Sequence, residues 1–343
     1  MEGVWRFSVR IRDLLFNLFI RVPARPGQGT GNTAGKHKQK GHVGMHSARI
    51  YTRNDLLNFK PGHDSFVGVD SDGCVFPTME IKQKECFHSL ILSIWGLERI
   101  ERAVRDVAEF VNLYSVNRGQ NRFPALLKVF ELLPGHPGAK VPGVTLPPTE
   151  SLRAFCESGL PLGNPALEKR VAGTGDRELT RILQWSHAVN ARVAATVRNV
   201  KPFRWVRESL DQLQRHSDVI CVSQTPTEAL VREWEEHGML DDVAVIAGQE
   251  LGTKAEHLRM ATERRYAPGR VMMVGDAPGD LRAAREAGAH FFPINPGHEE
   301  ESWALFHREA YERFLKGTYG GAYENELVAR FNALLPATPP WLT

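Results

Sequence analysis

Five short apolar runs constrain the fold of this chain more than any other feature of its sequence. They cover residues 66–70, 218–222, 243–247, 270–274 and 289–292. Their apolar residues follow one another without regular polar alternation, which is typical of strands buried on both faces of a parallel sheet. Helical periodicity separates the later runs, over about 203–216, 226–238, 253–266 and 279–287. The sequence therefore predicts an α/β fold, with a parallel sheet covered by helices on both faces.

A long helical pattern interrupts the predicted sheet after its first strand. Apolar residues recur at three- and four-residue steps from 81 to 114, which predicts one long or two consecutive amphipathic helices. Further helices are predicted over 124–133, 149–158, 165–171 and 176–198, around a Pro- and Gly-rich loop at 134–148. Few runs before residue 200 have the character of strands. We therefore expect an all-helical insertion within the sheet domain.

These patterns divide the chain into four parts. They are a basic arm (1–50), a catalytic core formed by 60–81 and 200–298, the helical insertion (82–199) and a helical C-terminal extension (299–343). In the extension, two helices are expected on either side of an aromatic, Gly-rich join at 317–321. If translation begins at Met45, most of the arm is an upstream segment.

Charge and cysteine content limit the partners of the protein. Residues 1–50 contain nine Lys or Arg and two acids, so of the total charge of +3 the arm carries +7 and the remainder −4. The core therefore gives no indication of nucleic-acid binding. No apolar run approaches the roughly 18–20 residues that span a bilayer, and four cysteines without a C-x-x-C pair favour reduced thiols. We expect a cytoplasmic protein, and its oligomeric state is left open.

The stretch 66–76 ends its first apolar run in two carboxylates, Asp70 and Asp72, followed by Gly73. Ligands of open α/β sheets bind at the carboxyl ends of the strands. Two close carboxylates there suggest a metal site, a nucleophile or an acid/base pair. The alternative is an Asp-rich turn, because Asp-Ser-Asp-Gly is also good turn chemistry.

The later strand ends decide between these interpretations. They carry Ser223 with Gln224 and Thr225 behind it, Lys254 at a helix start, and Asp276 and Asp280 in a Gly-Asp-x-x-x-Asp sequence. Loops after parallel strands gather at one edge of the sheet. Acids, a hydroxyl and a lysine at one edge suit phosphoryl transfer, since Mg²⁺ takes carboxylate ligands and fixed donors hold phosphoryl oxygens.

The order of these groups closely resembles the haloacid dehalogenase superfamily of phosphotransferases. The resemblance rests on Asp-x-Asp-Gly, the strand-end Ser, the Lys and Gly-Asp-x-x-x-Asp, and it covers about 66–82 and 201–293. It implies a Rossmann-like core, and the helical insertion falls where that family places its first type of cap. Cys74 departs from the Thr or Val usual after Asp-x-Asp-Gly, yet it fits a buried strand position.

By matching position, the resemblance implies a role for each strand-end residue. Asp70 would be the nucleophile and Asp72 the general acid/base, while Ser223 and Lys254 would bind the phosphoryl group. The implied cofactor is Mg²⁺, with Asp70, Asp276, the backbone carbonyl of Asp72 and, in support, Asp280 around it. The implied reaction is hydrolysis of a small phosphorylated metabolite through an aspartyl-phosphate.

Other readings of the sequence stay open. Members of that superfamily that cleave carbon–halogen or carbon–phosphorus bonds generally lack an acid at the position of Asp72, so its presence favours phosphate esters. A phosphomutase on a sugar phosphate and a catalytically retired ligand-binding protein are the alternatives. Thr225 competes with Ser223 for the phosphoryl group. The polar run Asn117, Arg118, Asn121 and Arg122 is predicted to reach an anionic substrate or to pair within the insertion.

Overall fold

The computed structural model describes residues 50–342 of the protein. Nearly all of the predicted basic arm, including Met45, lies outside these residues. A short helix, α1 (Arg53–Leu57), precedes a parallel sheet of five strands with the order β3-β2-β1-β4-β5. The strands are β1 (Phe66–Val69), β2 (Asp218–Val222), β3 (Val245–Ala247), β4 (Val271–Gly275) and β5 (His290–Pro293). The predicted parallel α/β architecture is confirmed.

Strand β1 lies at the centre of the sheet although it comes first in the chain. It pairs in parallel with β2, with Phe66 opposite Asp218, and with β4, with Phe66 opposite Val271. All four of its residues are buried, as the unbroken apolar pattern predicts. The chain order of the strands therefore places the ends of β2 and β4 on either side of the end of β1.

All the regular secondary structure of residues 78–196 is helical. The helices are α2 (Thr78–Ile81), α3 (His88–Trp95), α4 (Glu101–Leu113), α5 (Arg122–Leu132), α6 (Glu150–Cys156), α7 (Asn164–Thr174) and α8 (Arg177–Thr196), with a π-helical turn at Lys82–Phe87. The pattern from 81 to 114 is broken where Gly96 takes φ +67, a left-handed conformation that ends α3. The insertion buries a hydrophobic cluster of its own, which includes Phe130, Phe155 and Trp185.

Four helices cover the sheet in the second half of the core. They are α9 (Val206–Gln214), α10 (Thr227–Glu236), α11 (Lys254–Thr262) and α12 (Pro278–Glu286). Two of them begin close to predicted functional residues. Thr253 and Glu256 form a capping box that fixes the start of α11, and Pro278 occupies the first turn of α12.

The C-terminal extension packs on the core and then crosses to the insertion. Its helices are α13 (Glu299–Leu305), α14 (Tyr311–Leu315) and α15 (Ala322–Ala333), and the first two are joined by a π-helical turn. From α15, Glu324 accepts a hydrogen bond from the backbone N–H of Phe291 in β5. The following segment places the Trp341 ring 5.5 Å from Phe110 and 5.0 Å from His136. The extension therefore contacts both the core and the insertion.

The length and polarity of the helices bear on membrane association. Among residues 50–342 no helix combines the length and the hydropathy needed to cross a bilayer.

Candidate active site

Three acids and a lysine meet at the carboxyl edge of the sheet. Asp70 follows β1, Asp276 follows β4, and Asp280 lies in the first turn of α12. Lys254 starts α11, and its Nζ is 2.8 Å from Asp70 Oδ2 and 2.5 Å from Asp280 Oδ1. The three carboxylates are buried, and one oxygen from each lies within 4.8 Å of the others. The strand ends thus bring together residues that are 210 positions apart in the sequence.

Backbone donors fix two of these carboxylates. Asp280 Oδ2 accepts hydrogen bonds from the backbone N–H groups of Asp276 at 3.1 Å and Ala277 at 3.0 Å. Asp70 Oδ1 accepts one from the N–H of Ser71 at 2.8 Å. Gly275 has no room for a side chain, because a Cβ there would lie 2.4 Å from Asp280 Cγ. The sequence between Gly275 and Asp280 therefore builds a rigid acidic turn.

Arg118 of the insertion completes the cluster. Its Nε and Nη2 donate to Asp276 Oδ2 at 2.8 and 2.6 Å, and Nε also reaches the backbone carbonyl of Asp276 at 3.0 Å. Nη1 donates to the carbonyl of Leu113 at the end of α4. The side chains of Arg118 and Asp276 are 2% and 0% exposed, so the ion pair is fully removed from water. This contact joins the insertion to the loop that follows β4.

The electrostatics of the cluster show an excess of acid. Burial, opposed by Lys254 and reinforced by Asp280 and Asp276, raises the pKa of Asp70 well above its ordinary value. Burial likewise raises the pKa of Asp276 to about 6, against the lowering effect of Arg118. The pKa of Lys254 is raised, because Asp280 and Asp70 outweigh its own burial. Three carboxylates share two fixed cations, so one negative charge is left to compensate.

The residues fit a divalent cation. Asp276 Oδ1 is buried and has no hydrogen-bond partner among the described residues, whereas Oδ2 is taken by Arg118. A buried carboxylate oxygen without a donor is costly unless something binds it. The oxygens available around it come from carboxylates, which are the hard ligands that Mg²⁺ prefers. The side chain of Asp72 is not among the grouped ligand atoms.

Asp72 has surroundings of its own. Its Oδ1 accepts hydrogen bonds from Thr78 Oγ1 and from Lys82 Nζ, the latter at 2.5 Å, and its Oδ2 accepts one from Thr225 Oγ1 at 2.6 Å. Burial opposes its ionisation, but the charge of Lys82 and these hydrogen bonds outweigh burial and lower the pKa of Asp72. The two carboxylates of the Asp-x-Asp sequence therefore lie in electrostatically different environments.

The second acid near Lys82 comes from helix α10. Glu233 Oε1 is 3.5 Å from Lys82 Nζ, and Oε2 is buried with no hydrogen-bond partner among the described residues. Burial first, and then the charge of Asp72, raise the pKa of Glu233 to about 7, against the lowering effect of Lys82. Lys82 thus lies between two acids, one on each side.

Substitution of Glu233 should change how stability depends on pH. A glutamate in an unfolded chain titrates near 4.3, so the folded state holds this proton to higher pH, and the stability it contributes is lost as pH rises through about 7. Glu233→Gln removes that dependence. We expect its free energy of unfolding, relative to wild type, to increase by about 2 kcal/mol between pH 5 and pH 8 in urea titrations. Exposed Glu235 supplies the matched control, Glu235→Gln. A Glu233→Gln difference that does not vary with pH would contradict the assignment.

The remaining predicted residues lie in different places. Ser223 follows β2 at the same edge, is buried, and its Oγ accepts a hydrogen bond from the N–H of Thr225. Thr225 directs its hydroxyl to Asp72. Arg122 lies inside the insertion, where its Nη1 donates to Ser186 and Asn190. Asn117 contacts Ser115 and Gln120, and Asn121 caps α5 through Phe123 N–H. Within this part of the described chain, Arg118 is the member of the polar run that contacts the acids.

Three residues at the site, Thr78, Lys82 and Glu233, were not predicted from the sequence. Thr78 and Lys82 are four positions apart in a helical segment directly after the Asp-x-Asp stretch, so they share one helix face, and that spacing could have indicated them. Glu233 gave no such signal, because nothing in the sequence of α10 distinguishes it from the other glutamates of that helix.

Gly73 is required by the close approach of these groups. Its φ is +78, which favours glycine, and a Cβ there would lie 2.4 Å from Asp276 Oδ2 and 2.8 Å from Arg118 Nη2. The chain after Asp72 can therefore turn away from the acids only if residue 73 has no side chain.

Part of this chain resembles a known protein family. A family profile described as haloacid dehalogenase-like hydrolase matches residues 162–294, which include Ser223, Lys254, Asp276 and Asp280. No curated protein sequence matches the chain.

Solved structures of low sequence identity also match. One is a haloacid dehalogenase-like family hydrolase from Streptococcus pneumoniae, with 16% identity over 71% of this chain and 90% of that chain, at a TM-score of 0.37. Another is a superfamily hydrolase of subfamily IA from Geobacter sulfurreducens, with 15% identity over 68% and 89%, at a TM-score of 0.35. A third is a predicted phosphatase from Clostridium acetobutylicum, with 15% identity over 68% and 85%, at a TM-score of 0.36.

Proposed function

We propose that this chain, whose residues 162–294 match the profile of the haloacid dehalogenase-like hydrolases, is a Mg²⁺-dependent phosphatase of small phosphomonoesters. The observation that carries the proposal is the buried cluster of Asp70, Asp276 and Asp280 around Lys254, beside a second, separately held acid, Asp72. This set contains a nucleophile, a site for a hard cation, a fixed positive charge and a proton carrier.

The cation site is assigned to the carboxylates of Asp70 and Asp276 and to the backbone carbonyl of Asp72. The free Oδ1 of Asp276 supports this assignment. Asp280 supports the site indirectly, because its Oδ1 accepts a hydrogen bond from Lys254 Nζ and its Oδ2 accepts one from the backbone N–H of Asp276. Bound Mg²⁺ would neutralise negative charge on the phosphoryl oxygens.

In the first step, an Asp70 oxygen attacks phosphorus and the bond from phosphorus to the alcohol oxygen breaks. An aspartyl-phosphate forms on Asp70. Lys254 Nζ, 2.8 Å from Asp70 Oδ2, and Ser223 Oγ, at the end of the neighbouring strand β2, would donate hydrogen bonds to the phosphoryl oxygens, where charge spreads in the transition state. Asp72 in its protonated form gives its proton to the leaving alcohol. The alcohol departs, and Asp72 is left ionised.

In the second step, ionised Asp72 takes a proton from a water molecule whose oxygen attacks phosphorus. The bond between phosphorus and Asp70 breaks, inorganic phosphate leaves, and Asp72 is protonated again. The donors that surround Asp72 lower its pKa, which favours the ionised form that takes the proton in the second step, and they hold its carboxylate in one orientation.

The helical insertion would act as the cap over the site. Arg118 closes it directly above Asp276, and a closed, water-poor site protects the first step from premature hydrolysis. Asn117, Arg122 and Thr225 would serve as substrate contacts only after exchanging their present partners. Arg118, which was also predicted to contact substrate, is already engaged by Asp276 and the carbonyl of Leu113, so it too would reach substrate only after exchanging these partners.

Phosphate release from a panel of small phosphoesters in the presence of Mg²⁺ tests the proposal. We expect turnover of at least one ester, and its loss when Mg²⁺ is removed with EDTA and its return when Mg²⁺ is restored. Conversion between sugar phosphate isomers that requires a bisphosphate primer would instead identify a mutase. Binding of phosphorylated ligands with no turnover across the panel would identify a retired member of the family.

A further inference from the structure

Lys82 is a charged residue in the interior that the steps above do not use. It opens the π-helical turn at the start of the insertion, and its side chain is 11% exposed. Its Nζ lies between Asp72 Oδ1 and Glu233 Oε1, and both partners are buried as well. Burying three ionisable groups is costly, and stability alone favours replacing such a cluster with apolar residues. Its presence next to Asp72 therefore calls for a role at that carboxylate.

The hydrogen-bond capacity of Asp72 shows what Lys82 does. Each carboxylate oxygen accepts about two hydrogen bonds. Oδ1 already accepts from Thr78 Oγ1 and Lys82 Nζ, so it is saturated, whereas Oδ2 accepts only from Thr225. The open position for a further proton or hydroxyl is therefore on Oδ2. The two donors on Oδ1 also prevent the carboxylate from rotating.

Glu233 fixes Lys82 in turn. A lysine side chain has four rotatable bonds and a compact charge, so one partner does not define its position. Glu233 approaches Nζ from α10 and contributes a second contact, at 3.5 Å. Trp234, the next residue of α10, donates from Nε1 to Ser71 Oγ at 3.1 Å and ties this helix to the Asp70–Asp72 stretch. Lys82 therefore lies between the Asp70–Asp72 stretch and helix α10, and the hydrogen bond from Trp234 to Ser71 joins these two elements.

We propose that Lys82 is a positioning residue that presents Asp72 Oδ2 to the leaving-group oxygen, and that Glu233 positions Lys82. The inference rests on the proposed phosphatase function. The positioning of Asp72 by Lys82 would affect proton transfer to the departing alcohol. The attack on phosphorus would depend instead on Asp70, Lys254 and the cation site.

Leaving groups of different basicity separate this role from a structural one. Phenolate needs protonation to depart far more than para-nitrophenolate does, while phenyl phosphate and para-nitrophenyl phosphate are close in shape. We expect Lys82→Met to lower kcat/KM for phenyl phosphate about a hundredfold, and to lower it for para-nitrophenyl phosphate at least about tenfold less. Lys82→Arg should restore most of the loss on phenyl phosphate, and Glu233→Gln should show the same selectivity in weaker form.

Lys84 provides the matched control, because it lies two residues away and pairs with Glu80 and Glu109 rather than with Asp72. Lys84→Met should leave both values of kcat/KM within about twofold of wild type. If Lys82→Met fails to fold, Glu233→Gln, which keeps the shape of the side chain, carries the test. Equal losses on both esters, or no loss on either, would overturn the role of Lys82 and leave the phosphatase assignment standing. Absence of turnover by the wild-type protein on these two esters and on the rest of the panel would overturn both.

Discussion

Asp70→Asn should reduce phosphate release by more than about a thousandfold, because the substitution removes the attacking oxygen charge without changing the shape of the side chain. The expected loss lies in kcat, measured on whichever ester the wild-type protein hydrolyses with Mg²⁺. Substrate binding should be retained to a large extent, since Ser223 and Lys254 are unchanged.

The same substitution should not unfold the protein. Burial and the neighbouring acids raise the pKa of Asp70, so a neutral side chain at this place relieves repulsion among three carboxylates. In EDTA we expect Asp70→Asn to melt at or above the temperature of wild type. Asp64→Asn, at an exposed aspartate just before the start of the same strand, is the matched control and should keep full activity. Full phosphatase activity in Asp70→Asn would contradict the proposed mechanism.

Arg118→Met should have the largest effect on stability. The substitution leaves Asp276 buried without its cation, and breaking a buried ion pair by removing one partner costs about 3–5 kcal/mol. We expect this loss in urea unfolding carried out in EDTA. Removing a fixed positive charge from the acid cluster should also raise the affinity for Mg²⁺, by about tenfold in calorimetric titration. Mg²⁺ should therefore stabilise the variant more than it stabilises wild type.

Arg102 offers a matched control for this change. It lies in the insertion too, but its side chain is 89% exposed and its ion pair with Asp106 lies at the surface. Arg102→Met should alter the free energy of unfolding by less than about 0.5 kcal/mol, and it should leave Mg²⁺ binding unchanged. An Arg118→Met variant as stable as wild type in EDTA, or one that binds Mg²⁺ more weakly, would show that the pair does not compensate Asp276.

The sheet and its acidic edge could be predicted from the sequence for a simple physical reason. Asp70 and Asp276 each follow a strand whose unbroken apolar residues require burial on both faces, so their places at the strand ends follow from the strands themselves. Lys254 follows a capping residue, Thr253, that marks the start of a helix. In each case a local pattern determines where the residue lies.

Contacts between separate elements could not be predicted in this way. The pairing of Lys82 with Glu233 depends on how the first turn of the insertion packs against α10, which no periodicity encodes. Arg118 was predicted as a substrate contact, but its contact with Asp276 depends on how the insertion is placed over the sheet. The sequence left one long helix or two consecutive helices open over 81–114, and the position of the break at Gly96 could not be predicted because apolar residues continue at helical spacing on both sides of it.

The central claim, that Asp70 carries the phosphoryl group during turnover, is tested most directly by mass spectrometry of the working enzyme. The protein would be mixed with para-nitrophenyl phosphate and Mg²⁺, quenched in acid while turnover proceeds, and digested. We predict a peptide containing Asp70 that gains the mass of one phosphoryl group and loses it on treatment with hydroxylamine. The same peptide from Asp70→Asn should remain unmodified. A phosphoryl group on another residue of the turning-over enzyme would contradict the account.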